Sequence, residues 1–289
     1  MTPDDKARLE TDGIRPLSAH EFERIRELAR STFGLDLKAG KEELVSSRLR
    51  KLVRDGGFRS FHEYYRHIVE EPSGIALASM IDALATNHTA FHREPAHFEF
   101  LRTEVLPRMG GRTSVDVWSA ACSTGEEAWT LAFVLNDALP SRQIHITATD
   151  ISTRALQFAE RAVYPGDRCQ GLPAAWLSRY FDPAEAAEPA WRVSDRLRCQ
   201  AAFRRVNLVE PYTWPRRFPI IFCRNVMIYF DVATQTEVVR QLAEWLEPGG
   251  YLFVGHAESL TRISHSLEYV RPAVYRKPAE REERWRRST

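Results

Sequence analysis

Apolar residues recur at helical spacing through the first eighty positions. Phe22, Ile25 and Ala29 make one stripe, and Leu44, Val45, Leu49, Leu52 and Val53 make a second. The second stripe stops at Gly56-Gly57, where a left-handed helix cap is expected. The opposite face of that helix carries Arg50, Lys51 and Arg54, with Arg48 on the flank and no acidic residue between Val45 and Arg54. Such a run is commonly a solvated face, but a single sign of charge also suits an acidic partner. Met80, Ile81 and Leu84 predict a further helix; Pro95 suits the first turn of another, with Phe98, Leu101 and Val105 on its apolar side.

After Gly110-Gly111 the period changes. Residues 115–121 read as a buried strand, followed by Cys122-Ser123-Thr124-Gly125 and a helix over 126–139. Residues 143–149 form a second strand ending in Asp150, and Ser152 caps a helix carrying Leu156, Phe158 and Ala159. This alternation predicts a parallel α/β sheet. From 164 to 202 the periodicity weakens, and Pro183, Pro189 and several alanines mark an insertion whose second half, from Trp191-Arg192-Val193, is expected to form a hairpin. Strands resume at 203–208 and 218–223. They are followed by a helix over 234–246, a turn at Glu247-Pro248-Gly249-Gly250, a strand over 251–255 and a last strand over 270–276. The charged tail is expected to fray, and no internal repeat is visible. The expected organisation is a helical domain over 1–78, an α/β domain over 79–280 with a small β insertion near 165–202, and a tail over 281–289.

Composition narrows the class. With 289 residues, 44% hydrophobic, the chain has the length for about two domains and the apolar content for a proper core. Forty basic against thirty-nine acidic residues leave +1, no global attraction to nucleic acid or membrane. The opening Met-Thr-Pro-Asp-Asp lacks a charged-then-apolar leader, and no apolar run approaches the ~18 residues of a membrane helix. Cys122, Cys169, Cys199 and Cys223 form no Cys-x-x-Cys pair, so neither a disulfide framework nor a zinc knuckle is expected. A reduced cytoplasmic enzyme is the expectation.

Ligands of open α/β sheets sit beyond the carboxyl ends of the strands, where Ser119 to Glu127, Asp150, Asn207 and Arg224-Asn225 fall. Asp150 has the position of an acceptor for ribose hydroxyls, and equally that of a helix cap. The loop has one glycine rather than Gly-x-Gly-x-x-Gly and runs into Glu126-Glu127. Two carboxylates at a helix start repel a pyrophosphate and suit an ammonium or sulfonium, which favours S-adenosylmethionine over NAD or ATP; they also fit ordinary helix-dipole placement. His88 and His92 are spaced to share a helix face as metal ligands do, but lack the acidic residue of a zincin between them, so no metal is expected. His256 reads as a structural histidine, Cys122 as a space-filling one, and Met227 and Ile228 as packing.

Asn-x-Thr-x-Phe-x-Arg-Glu at 87–94, Trp-Ser-Ala-Ala-Cys-Ser-Thr-Gly-Glu-Glu at 118–127, Ala-Thr-Asp-Ile at 148–151, Phe-Cys-Arg-Asn-Val-Met-Ile-Tyr-Phe-Asp at 222–231 and Gly-Tyr-Leu-Phe-Val-Gly-His-Ala-Glu-Ser at 250–259 resemble the chemotaxis receptor methyltransferases (CheR). The resemblance spans nearly the whole chain. It implies a class I S-adenosylmethionine-dependent methyltransferase fold, Rossmann-like and mostly parallel, with an all-helical N-terminal receptor-recognition domain. The implied activity is that of a protein-glutamate O-methyltransferase, which esterifies glutamates on the cytoplasmic helical bundle of chemoreceptors and releases S-adenosylhomocysteine. By matching motif, Asn87, Thr89 and Arg93 would line the cofactor pocket, Glu127 would hold the methionine ammonium and Asp150 the ribose. Asn207 and Leu208 would frame the adenine, Arg224 and Asn225 would close the pocket, and Arg93 and Tyr229 would lie nearest the transferred methyl. Arg48, Arg50, Lys51 and Arg54 would seat the acidic receptor helices.

Two departures stand out. The stretch 182–190 has no glycine, where some members carry a glycine-rich loop that docks a C-terminal receptor peptide, so tethering is not expected. His92 follows Phe91 where Phe-Phe is usual, which predicts local repacking. A nucleic-acid methyltransferase would carry Asn/Asp-Pro-Pro-Tyr/Phe where this chain has Arg224-Asn225-Val226-Met227, and a non-catalytic cofactor sensor would lack Arg93 or Tyr229.

Overall fold

The computed structural model describes residues 13–85, 87–186 and 188–279. The tail expected over 281–289 lies outside the described residues. The chain divides into two compact units between residues 86 and 87.

The first unit is helical: α1 (Ala19–Phe33), α2 (Glu42–Asp55), α3 (Phe61–Glu70) and α4 (Ile75–Leu84). The expected boundary after residue 78 falls inside α4. A capping box starts α1, with Ser18 and Glu21 each accepting the other's backbone N–H. Phe22, Ile25, Ala29, Val45, Leu49 and Val53 are buried as the stripes require. Leu44, expected in the second stripe, stands 42% exposed, because it lies one position, about 100° around the helix, from the Val45–Leu49–Val53 line that faces the core. At the end of α2 only Gly57 is left-handed (φ +72); Gly56 keeps right-handed geometry. The N–H of Gly57 reaches the Arg54 carbonyl, and that of Phe58 the Val53 carbonyl, both at 3.0 Å, closing the helix as a Schellman motif.

The second unit opens with α5 (Pro95–Phe100) and continues through β1 (Ser114–Ala120), α6 (Glu126–Ala138), β2 (Gln143–Asp150) and α7 (Thr153–Arg161). The insertion contributes β3 (Val163–Pro165), α8 (Ala174–Tyr180), β4 (Phe181–Ala184), β5 (Ala190–Val193) and α9 (Asp195–Arg198). Then come β6 (Ala201–Arg205), β7 (Phe218–Cys223), α10 (Val232–Trp245), β8 (Leu246–Val254), β9 (Glu268–Arg271) and β10 (Val274–Arg276).

The main sheet runs β6-β2-β1-β7-β8-β10-β9. β6, β2, β1, β7 and β8 pair in parallel, and β10 pairs antiparallel with both β8 and β9. This is the mostly parallel, Rossmann-like sheet that the resemblance implies. From β1 the chain winds outward through β2 to β6, then returns to β7 on the other side, so the switch in strand order lies between β1 and β7. That is where a ligand crevice opens beyond the carboxyl ends. Alternating strand residues feed two cores. Val117, Ile220, Phe222 and Phe253 pack with α6 residues such as Leu131. Trp118, Ile221, Leu252 and Val254 pack with Val238 and Leu242 of α10.

Three sequence expectations are corrected. The turn at 247–250 is a bulge within β8: Phe218 pairs with Leu246 but Ile220 with Tyr251, and Gly249 takes φ +79. The single strand expected over 270–276 is the β9–β10 hairpin, reversed at Ala273 (φ +63). In the insertion Trp191 stands in the second strand of the hairpin rather than starting it: β4 and β5 pair, with β3 on the far side of β5.

Gly125 is the N-cap of α6 at φ +94, and a Cβ there would stand 2.7 Å from the Ala159 Cβ and 2.9 Å from the Tyr164 hydroxyl. Left-handed strain and overpacking together predict that Gly125→Ala costs about 2–4 kcal/mol. The expected readout is a lower urea midpoint at unchanged slope.

Candidate active site

The loops after β1 and β2 are sewn together by backbone and carboxylate. Cys122 N–H donates to the Thr149 carbonyl at 2.8 Å. Asp150 Oδ2 accepts from Ser123 N–H at 2.8 Å, and Oδ1 from Ser152 N–H at 2.9 Å. The cap of α7 is Ser152, whose Oγ accepts from Ala155 N–H at 3.0 Å; Asp150 is therefore the organiser of both loops rather than the cap. Ala121 and Ser123 hold φ of +68 and +52, a left-handed geometry costly without glycine and found where structure over-determines it. Ser123 Oγ is buried without a partner in the same loop. Asn87 reaches this corner, its Nδ2 lying 3.5 Å from Ser152 Oγ.

Arg224, at the carboxyl end of β7, is the hub. Its Nη1 donates to Glu127 Oε2 at 3.1 Å, and its Nη2 to Glu94 Oε2 at 2.9 Å and to the Arg93 carbonyl at 2.6 Å. Its guanidinium lies 5.5 Å and 5.9 Å from the ring centres of Phe98 and Phe222, and its side chain is 1% exposed. Asn225, at φ +58, gives its Nδ2 to Glu94 Oε1 at 3.2 Å. Burial raises the Glu94 carboxyl, but Arg224, Asn225 and the His256 N–H outweigh it and hold the group down at about 2. Burial pushes the Glu127 carboxyl up, while Arg224 and the Ser119 hydroxyl, 2.7 Å from Oε1, pull it back. A ligand ammonium brought to Glu127 would offset that burial.

Glu126 is not a second pocket carboxylate. It is 1% exposed and turned into the fold, accepting from Thr124 Oγ1 at 2.7 Å and Arg168 Nη1 at 2.8 Å. Residues on adjacent helix positions point about 100° apart, so the two glutamates cannot face one ligand.

Arg93 is half-buried and donates to the His88 carbonyl at 2.9 Å. Thr89 lies in the irregular segment before it, and Tyr229 ends the 3₁₀ turn Met227–Tyr229 just beyond Arg224. Asn207 donates to Glu210 Oε1 at 2.8 Å, and Leu208 is buried against α10, its carbonyl accepting from Gln241. His88 and His92 do not share a helix face, since 87–92 is not helical. His92 instead fills the aromatic position, its ring 5.5 Å from Phe98 and 5.2 Å from Trp176. Glu94, His97 and His256 do converge within 4.8 Å. The Arg224 guanidinium already occupying Glu94 opposes a metal cation there. Burial and that guanidinium hold His97 neutral, at about 3.

In the first unit, Lys51 and Arg54 stand outward, Arg54 paired with Asp55 at 3.1 Å. Arg48 and Arg50 are partly spent on the fold, donating to the Leu84 carbonyl at 2.5 Å and the Ile14 carbonyl at 3.3 Å. The basic surface is thus narrower than the sequence suggests.

Residues 87–275 match the model of the CheR methyltransferase SAM-binding domain, and residues 20–85 that of the CheR methyltransferase all-alpha domain. The chain belongs to the CheR methyltransferase family. It is 34% identical over 272 residues to a chemotaxis protein methyltransferase of Borreliella burgdorferi, covering 90% of this chain and 95% of the relative. It is 37% identical to chemotaxis protein methyltransferase 2 of Pseudomonas aeruginosa over 88% of this chain and 92% of that one. A Klebsiella aerogenes chemotaxis protein methyltransferase is also 37% identical, at 90% of both chains. The fold is that of a class I methyltransferase with a helical N-terminal domain; the cofactor is S-adenosylmethionine, and the activity is methylation of chemoreceptors. No described helix is long and apolar enough to cross a membrane.

Sequence reasoning assigned no role to Glu94, His97 or Glu258. Glu94 and Glu258 lie inside quoted motifs, which was the available signal. Glu94→Gln leaves the buried Arg224 with Glu127 as its one remaining carboxylate partner and weakens the acceptor of Asn225 and the His256 amide, so it should destabilise the fold by about 3 kcal/mol at neutral pH. Because the folded Glu94 pKa is depressed from 4.5 to about 2, its contribution is complete above 4.5 and disappears as pH falls toward 2. Denaturation across that window should show an acid limb that is shallower in Glu94→Gln.

Proposed function

We propose that this chain acts in the cytoplasm, transferring methyl groups to the γ-carboxylates of glutamates on the helical bundle of chemoreceptors. The products are glutamate 5-O-methyl esters and S-adenosylhomocysteine. One observation supports the choice of acceptor: among the described residues, the buried carboxylates and the buried histidine of the site are not free to act as general bases. Glu94 and Glu127 are held by Arg224, Asp150 binds two loop amides, and His97 is buried at a depressed pKa. An amine or hydroxyl acceptor would need a proton removed, whereas a glutamate is already ionised at pH 7.

S-adenosylmethionine supplies a methyl group on a sulfonium. Glu127 would hold its ammonium and Asp150 its ribose, with Asn87, Thr89, Asn207, Leu208, Arg224 and Asn225 around them. The partnerless Ser123 Oγ and the buried Glu127 support that fit. Opposite charges vanish as carboxylate attacks and thioether leaves, so water opposes the step and a closed site favours it. Arg93 and Tyr229 would align the acceptor without moving a proton. A tight grip by arginine would stabilise the ground state and slow the step. Receptor engagement would use Lys51 and Arg54, with Arg48 and Arg50 beside them, and would proceed without peptide tethering. The β4–β5 hairpin lacks the glycine-rich loop.

Mass spectrometry of a treated receptor fragment should find base-labile methyl esters on glutamates; methylated lysine or RNA instead refutes the reading. Turnover should fall about tenfold per unit below the acceptor pKa of roughly 4.3 and stay level from about pH 6 to 8. A rising limb through neutrality would indicate a base. Tyr229→Phe should lower kcat about tenfold or more while calorimetric affinity for S-adenosylhomocysteine is unchanged.

Reversal of the outward charges in K51E/R54E should reduce receptor kcat/KM about tenfold at low salt, with the gap closing as salt rises and cofactor affinity constant. An unaltered salt dependence removes that face from recognition.

A further inference from the structure

The Arg224–Tyr229 segment carries the hub arginine and the proposed orienting tyrosine, and within it Asn225 alone is a residue that tolerates left-handed backbone. Asn225 sits at φ +58, and the segment then tightens into the 3₁₀ turn Met227–Tyr229. Its amides converge on one side chain from the loop that follows the neighbouring strand, β8. Glu258 Oε2 accepts from Asn225 N–H at 2.8 Å and from Gly255 N–H at 2.6 Å, and its Oε1 accepts from Ile228 N–H at 3.2 Å. Glu258 is 6% exposed. Among the described residues no arginine, lysine or histidine forms an ion pair with it within 4 Å. Backbone amides therefore carry the neutralisation of this buried carboxylate, as in an anion-binding nest occupied by the protein's own anion.

The fit is closed on the other side as well. A Cβ on Gly255 would lie 2.5 Å from Asn225 Nδ2, 2.8 Å from Glu258 Oε2 and 2.9 Å from the Asn225 nitrogen. Only glycine lets the end of β8 approach the Asn225 turn this closely.

We propose that Glu258 is a positioning residue for methyl transfer: its carboxylate latches the Asn225–Ile228 amides to the end of β8, fixing where Arg224 and Tyr229 stand. This rests on the proposed role of Tyr229. Arg224 and Asn225 also border the proposed cofactor pocket, so loss of the latch is expressed most strongly in kcat, with a much smaller loss of cofactor affinity. A misplacement of about 1 Å suffices for roughly a 100-fold loss.

The test compares the full chain with Glu258→Gln and Glu258→Ala. Three readouts are taken: kcat on a receptor fragment, calorimetric affinity for S-adenosylhomocysteine, and hydrogen exchange of residues 225–229. Both variants should lose about 10- to 100-fold in kcat. Affinity should change less than about threefold, and exchange of the turn should accelerate. Formate, sized for the vacated nest, should restore kcat and slow the exchange in Glu258→Ala, whereas chloride should not. Full turnover in Glu258→Gln, or cofactor affinity falling in step with kcat, overturns the positioning role. Unchanged exchange at 225–229 overturns the latch whatever the activity. Absence of methyl ester with the unaltered chain refutes the proposed function instead, and the exchange readout still decides the latch.

Discussion

The candidate site depends on a single buried cation. Arg224 reaches past the end of the central β7 strand and joins two carboxylates and a carbonyl from otherwise separate segments: Glu94, Glu127 and Arg93. Two negative charges around one positive leave the cluster anionic by one, with Asn225 and the His256 amide sharing the Glu94 load. Such buried pairs contribute little net stability over an apolar core, since desolvation consumes the Coulombic gain. Their consequence here is geometric. The guanidinium fork has fixed directions, so the segment before α5 and the first turn of α6 are held at defined distances from the same strand end.

Around this hub the backbone is held in conformations that side chains resist. Ala121, Ser123 and Asn225 are all left-handed without being glycine, and all lie just past the carboxyl ends of β1 or β7. Asp150 binds the Ser123 amide and Glu258 binds the Asn225 amide, so each strained turn beside the crevice has a carboxylate fixed to it. Preorganised loops of this kind reduce the rearrangement needed when reactants bind.

The helical unit shows how structural demands thin out a basic surface. Four basic residues along α2 look equivalent as text, yet Arg48 and Arg50 close off backbone carbonyls at Leu84 and Ile14. Lys51 and Arg54 carry the outward charge, and Arg54 shares its with Asp55. Long basic side chains serve as caps as readily as binding groups.

Local rules were legible in the sequence wherever one residue's own chemistry decides the outcome. Buried apolar runs and helical stripes located β1, β2, β7, α6 and α7, Ser152 marked a cap, and the motifs at 87–94, 118–127 and 222–231 marked the family. Misplaced elements were those decided by neighbours: the bulge at 247–250 exists because β8 must re-register against β7, and the β9–β10 reversal because β10 pairs backwards along β8. Site residues divided the same way. Glu127 and Asp150 were visible from strand-end position, while Glu126 looked identical to Glu127 until the 100° helical step turned it inward to Arg168. Glu94 and Glu258 gained their roles only when the sheet brought residues 130 and 33 positions away in sequence within hydrogen-bonding distance. The sequence alone determined which chemical groups the chain possesses and which local shapes they prefer. Tertiary structure decided which of those groups meet, because the crossover between β1 and β7 is a property of the whole sheet and of no single segment.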